Sequence, residues 1–204
     1  MARRMIDGGV DLIQLRAKGR PAEEIARIAA ELHGLTAERK VPLIINDHPE
    51  IARIVGAEGV HVGQDDPGIS EVRRLAGLNC MVGKSTHSVD QAIRAFYEGA
   101  DYIGFGPIFA TPTKPDYPPI GLSEIQRVHE AVRIPIFCIG GIKLDNLPEV
   151  MEAGARRVVI VSGLLQARQI VTYGRAAKEL LNRQSPVTQR DRARPGFPIE
   201  NRKS

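Results

Sequence analysis

Short apolar runs alternate along this chain with longer stretches in which apolar positions recur at helical spacing. The short runs cover residues 10–16, 41–46, 59–63, 80–83, 102–106, 134–139 and 157–161 and are rich in Val and Ile. They are apolar at successive positions rather than at alternate ones, which is the pattern of strands covered on both faces of a parallel sheet. The longer stretches are amphipathic. Residues 22–39 set Ile25, Ile28, Ala29 and Leu32 on one stripe and keep Glu23, Glu24 and Arg27 off it. Residues 88–98 open on Ser88, a residue suited to cap a helix, and end at Gly99. Residues 123–132 and 146–153 repeat the pattern, and Gly56, Gly99 and Gly154 each stand between a helix and the next strand.

Strand–helix alternation of this kind predicts βαβ units and an α/β fold. Polar or glycine-rich signatures close nearly every strand: Gln14 to Lys18, Asn46-Asp47, Gly63 to Asp66, Lys84 to His87, Gly106-Pro107, Gly140-Gly141 and Ser162-Gly163. A barrel delivers all its strand ends to one rim, whereas a doubly wound sheet concentrates such signals at a switch point, so a TIM (β/α)8 barrel is predicted. Only seven strands are counted. The chain opens on what reads as the last turn of a helix before Gly8-Gly9, so the barrel is expected to lack its first strand and most of its first helix. Residues 1–183 are predicted to form a single catalytic domain. From residue 184 the hydrophobic period is lost, and 184–204 is expected to be a disordered tail.

The 204 residues, 43% of them hydrophobic and 25% charged, suffice for one domain with a sizeable core. The net charge of +4 lies largely in Arg190, Arg192, Arg194, Arg202 and Lys203, where a solvated tail is a simpler reading than a nucleic-acid arm. Aromatic residues make up only 4% and Trp is absent, which removes the stacking platforms of single-strand binders. No apolar stretch has the length of a membrane span and the N-terminus lacks a signal-peptide pattern. Two cysteines, Cys80 and Cys138, suggest no disulfide framework, and a reducing cytoplasmic setting is expected. Self-association as a homo-oligomer is left open.

The strand ends carry the candidate chemistry. Arg16, Lys18 and Lys114 suit a polyanion, or are plain surface bases. Asp47 and Asp66 end adjacent strands, so they either meet as a magnesium site or cap the helices that follow, and Asp65 is an alternative ligand. His33, His48, His61, His87 and His129 show no zinc spacing. Gly140-Gly141 and Ser162-Gly163 bring bare amides towards helix starts, either as a phosphate cradle or as tight turns. His87 beside Ser85 is a general-base candidate or a structural histidine.

Several segments together, Gln14 to Lys18, Ile45 to Asp47, Gly59 to Asp66, Gly83 to His87, Gly104 to Pro115, Ile139 to Ile142 and Val161-Ser162, resemble the thiamine phosphate synthase family. The resemblance runs in order from about residue 8 to residue 165, and the Thr111-Pro112-Thr113-Lys114 block is its most specific part. It implies a transferase acting on a pyrimidine diphosphate and a thiazole phosphate by dissociative substitution. It further implies that Gln14, Leu15, Arg16, Ala17 and Lys18 hold the pyrimidine diphosphate, with Asn46 and Lys114. Asp47 and Asp66 would ligate Mg2+, and Ser85 would contact the pyrimidine. Thr111 and Thr113 would meet the thiazole phosphate, whose phosphate would rest on Gly141, Val161 and Ser162. Arg16, Lys18, Ser85 and Lys114 would be the catalytic set. Two positions depart from the family pattern: His48 stands where Arg is frequent and Lys84 where an apolar residue is usual.

Two rivals follow from the same residues. A thiazole tautomerase of similar fold would bind one phosphorylated thiazole and move a proton with a histidine such as His87. The Thr-Pro-Thr-Lys block and both acidic positions count against it. The other rival is an inactive shortened barrel serving as a binding or regulatory remnant.

Overall fold

Each of the seven apolar runs forms a strand in a computed structural model that describes residues 1–111 and 117–183. In chain order the strands are β1 (Ile13–Leu15), β2 (Leu43–Asn46), β3 (Gly59–Val62), β4 (Met81–Thr86), β5 (Tyr102–Phe105), β6 (Ile136–Ile139) and β7 (Val158–Val159). Each pairs in parallel with the next, so spatial order equals chain order and β1 and β7 are the two edges. The sheet curls as a TIM-like α/β half-barrel. Leu43, Ile44, Ile45, Val60, Val62, Ile103 and Phe105 are all 1% exposed or less. Burying each such side chain stabilises the fold by about 1.5–3 kcal/mol.

The four predicted helices are present as α2 (Ala22–Glu38), α5 (Val89–Tyr97), α6 (Ser123–Ala131) and α7 (Leu147–Glu152), preceded by α1 (Ala2–Asp7) at the start of the chain. The Ser88 hydroxyl accepts from the Gln91 amide at 3.2 Å, capping α5 as predicted. Four further helices, whose bounds the stripes do not mark, are α3 (Pro49–Val55), α4 (Ile69–Ala76), α8 (Ser162–Leu165) and α9 (Ile170–Arg183). Gly56 closes α3 at φ 73°, in the left-handed region that glycine enters without steric cost. Helices pack side by side, α2 on α3, α3 on α4 and α5 on α6.

The first and last helices also meet. At Gly174 of α9 a Cβ would lie 2.8 Å from the Gly8 carbonyl oxygen, and Lys178 pairs with Asp11. The helical layer thus passes from α9 to α1, while β1 and β7 remain strand edges.

Strand bounds depart most from expectation in β1, β4 and β7. β1 begins only at Ile13, and the edge strand β7 shrinks to two residues because it has a ladder partner on one side only. β4 runs three residues further than predicted. Lys84 pairs with Ile103, Ser85 with Gly104 and Thr86 with Phe105, so a segment read as rim loop is strand. The expected tail, 184–204, lies outside the described residues, as do Thr113 and Lys114.

Candidate active site at the strand ends

Asp47 follows β2 directly, with its backbone at φ 66°, a left-handed position that Asp tolerates better than most side chains. Its amide donates to the His61 carbonyl of β3 at 2.9 Å, which fixes the turn against the neighbouring strand. The Asp47 carboxylate lies 3.8 Å from Arg16 Nη1 and 3.9 Å from Lys18 Nζ. Asp66 closes the loop after β3 by accepting the Gly63 amide at 2.6 Å. Burial holds the Asp47 carboxyl above its ordinary range, and the neighbouring Asp66 charge raises it further, against the opposing pull of Lys18 and Arg16. The two acids therefore meet, as the strand-end reading anticipated. The helix-cap alternative fails for both, because the caps of α3 and α4 are His48 and Gly68. Asp65 is exposed and makes no ion pair among the described residues.

Beside the acids sits a pocket wall wired by hydrogen bonds. His61, 8% exposed, approaches the Tyr102 hydroxyl through Nδ1 at 3.1 Å and the Ser85 hydroxyl through Nε2 at 2.9 Å. Gln64 donates from its amide to the Ser85 carbonyl. Tyr102 fits because its partner across the ladder is Gly83: a Cβ there would lie 2.0 Å from the Tyr102 ring. Burial pushes the Tyr102 phenol far above its ordinary range. Asn46 is only 7% exposed and its side chain has no hydrogen-bond partner among the described residues, so its amide is available to a ligand. His87 is engaged elsewhere. Its Nδ1 faces the Gly106 carbonyl and its ring stacks on Tyr117 at 4.1 Å.

The other side of the rim is built from backbone. Gly141 has φ 67°, and a Cβ there would lie 2.7 Å from Phe109 Cβ and 2.9 Å from the Ala110 carbonyl. Asn146 braces this turn, donating to the Gly141 carbonyl at 3.0 Å and accepting from the Lys143 amide at 2.8 Å. The turn meets the start of α8: a cleft of about 250 Å³ is lined by residues that include Lys143, Ser162, Gly163 and Tyr173. Tyr173 accepts the Leu144 amide at 2.9 Å. Val161 is 39% exposed, and Gln14 and Arg16 on the β1 side are also exposed. A larger cleft, about 530 Å³ between α1 and α9, is lined by none of the rim residues.

Sequence reasoning singled out Ser85 but missed its supports. The sequence places His61 in the Gly59 to Asp66 segment without a role and points to no role for Tyr102 or Gln64. Strict alternation was the available signal: His61, Gly83 and Tyr102 share one register level, where a bulky polar residue beside a glycine marks an inward-facing pair. Of the two departures, Lys84 is buried and reaches Glu98 at 3.5 Å, on the α5 side of the sheet. His48 caps α3 without a side-chain bond.

An acid pair flanked by two bases, a polar wall and a glycine turn, all at the carboxyl ends of parallel strands, define an anion-handling enzyme of the α/β-barrel class. Residues 1–164 match the family model described as thiamine monophosphate synthase. The thiamine-phosphate synthase of Shouchella clausii is 44% identical over 172 residues, spanning 84% of this chain and 82% of the relative. That of Thermus thermophilus is 43% identical over 180 residues, spanning 87% and 86%. The solved thiamine phosphate pyrophosphorylase of Pyrococcus furiosus superposes with a TM-score of 0.84 at 31% identity, covering 90% of this chain and 88% of that one. The chain belongs to the thiamine monophosphate synthase family.

Proposed function

We propose that this chain joins 4-amino-2-methyl-5-hydroxymethylpyrimidine diphosphate to 4-methyl-5-(2-phosphoethyl)thiazole, giving thiamine phosphate and diphosphate. The observation that carries this reading is the meeting of Asp47 and Asp66 beside Arg16 and Lys18. Two facing carboxylates, one held above its ordinary range by burial and by the other's charge, suit a hard divalent cation such as Mg2+. When bound there, magnesium would supply positive charge to the leaving diphosphate. The ion pairs of Arg16 and Lys18 with Asp47 are long, which leaves their donors able to turn towards phosphate oxygens. Gln14, Leu15 and Ala17 continue that diphosphate-binding strand end, and Asn46 adds its buried amide. Lys114, known from the sequence alone, joins them in this reading. Ser85 faces the pyrimidine. Thr111, with Thr113 known from the sequence alone, is assigned to the thiazole, and Gly141, Val161 and Ser162 to its phosphate.

In this reaction the carbon–oxygen bond to diphosphate breaks first and its electron pair leaves with the diphosphate. The thiazole nitrogen then captures the pyrimidinylmethyl cation. Such chemistry asks for charge stabilisation rather than a strong base, and no nucleophile–base pair is needed. The finer architecture follows the same lines. The contact of α9 with α1 supports reading the seven strands as strands two to eight of a TIM barrel. A cytoplasmic setting fits the two buried, unpaired cysteines, and no described helix is long and apolar enough to cross a membrane. The test is an assay with both substrates and magnesium, following thiamine phosphate and diphosphate together. Lys114→Ala is expected to lose most activity. Turnover that survives EDTA and needs no pyrimidine diphosphate would instead identify a tautomerase.

A further inference from the structure

The neighbours of Ser85 determine where its hydroxyl proton points. Tyr102 is 4% exposed, and its hydroxyl has one hydrogen-bond partner among the described residues, His61 Nδ1 at 3.1 Å. A buried phenol with a single partner that can act as an acceptor must donate to it, or bury an unsatisfied hydroxyl hydrogen. His61 Nδ1 is then the acceptor, and the ring carries its proton on Nε2. That nitrogen lies 2.9 Å from the Ser85 hydroxyl and donates to it. Ser85 thus spends a lone pair on His61, and its own hydroxyl hydrogen has no acceptor among the described residues. The parts are held in register by missing side chains. Gly83 leaves room for the Tyr102 ring, and at Gly104 a Cβ would lie 3.3 Å from His61 Cε1.

We propose that Tyr102 and His61 are positioning residues that fix Ser85 as a hydrogen-bond donor, directed at an acceptor atom of the pyrimidine substrate. A pyrimidine ring nitrogen offers an in-plane lone pair and fits such a donor. An exocyclic amino group, whose lone pair is delocalised into the ring, does not. The relay Tyr102–His61–Ser85 therefore selects which edge of the substrate can face the wall. This inference rests on the pyrimidine reading of the site for its ligand, but not for the direction of the relay.

Two measurements test it on the full chain. In protein with 15N-labelled histidine, the His61 signals, assigned by their loss in His61→Gln, are expected to show a protonated Nε2 and an unprotonated Nδ1. A proton on Nδ1, alone or together with one on Nε2, overturns the proposal. Tyr102→Phe removes one oxygen and keeps the ring. It is expected to lower kcat/KM for the pyrimidine diphosphate about tenfold in the otherwise wild-type chain, but less than about twofold on a Ser85→Ala background. Equal losses on both backgrounds would make Tyr102 a packing residue and overturn the relay. Should Tyr102→Phe fail to fold, the tautomer measured in the wild-type chain decides. Should the wild-type chain make no thiamine phosphate, the substrate reading fails while the tautomer result stands on its own.

Discussion

The two sides of the rim are built by different means. From β2 to β5, side chains converge: Asn46, Asp47, His61, Asp66, Ser85 and Tyr102, with His61 bonded across the strands to both Tyr102 and Ser85. From β6 to α8, the surface is mostly backbone, with Gly141 and the α8 start braced from behind by Asn146 and Tyr173. The first side sits on strands paired on both flanks, the second runs into the two-residue edge strand β7. A network of side chains can discriminate the faces of a heterocycle. A cradle of amides offers an anion several donors without fixing its identity. The contrast teaches that the two ends of the proposed site should fail in different ways when substituted.

That contrast can be broken in order of size. Asp47→Asn, on the side-chain half, is expected to cost about a hundredfold or more in kcat/KM measured at saturating magnesium. The same change should raise the melting temperature at neutral pH. Because Asp47 has a raised carboxyl pKa in the fold, its contribution to stability is present at low pH and lost as pH rises through that value. A lower melting temperature would contradict this sign. Gly141→Ala, on the backbone half, is expected next. Left-handed backbone and a Cβ 2.7 Å from Phe109 should cost roughly 1–3 kcal/mol in denaturant melts and raise KM for the thiazole phosphate. Ser162→Ala, on the same half, should change that KM only about two- to threefold, since the neighbouring amides remain. A large Ser162 effect beside a small Gly141 effect would dissolve the distinction between the halves.

Much of this was legible in the sequence because it depends on local period and order. All seven strands, the four helices first marked out by their stripes, and the meeting of Asp47 with Asp66 follow from strand-end positions in a parallel fold. What escaped depends on neighbours distant in sequence. The extension of β4 to Thr86 comes from its pairing with β5, which local polarity at Lys84-Ser85-Thr86 conceals. The roles of His61 and Tyr102 arise from ring-to-hydroxyl contacts across three strands, where 41 residues separate the partners. The bounds of short helices such as α3 and α4 are not legible because Pro49 and Pro67-Gly68 read first as turn residues. The family-based roles of Thr113 and Lys114 lie outside the described residues.

The placement of β4 has a consequence in time as well as in space. It is the fourth of seven strands and the longest, and it carries Ser85. Fluctuations that open a sheet begin at its edges, so amides along β7 should exchange with solvent early and those along β4 late. Under the proposed function, the seat for the pyrimidine would then be tied to the segment expected to exchange last. The proposed seat for the second phosphate adjoins the edge expected to loosen first, so that end would let go of its ligand while the other keeps its shape.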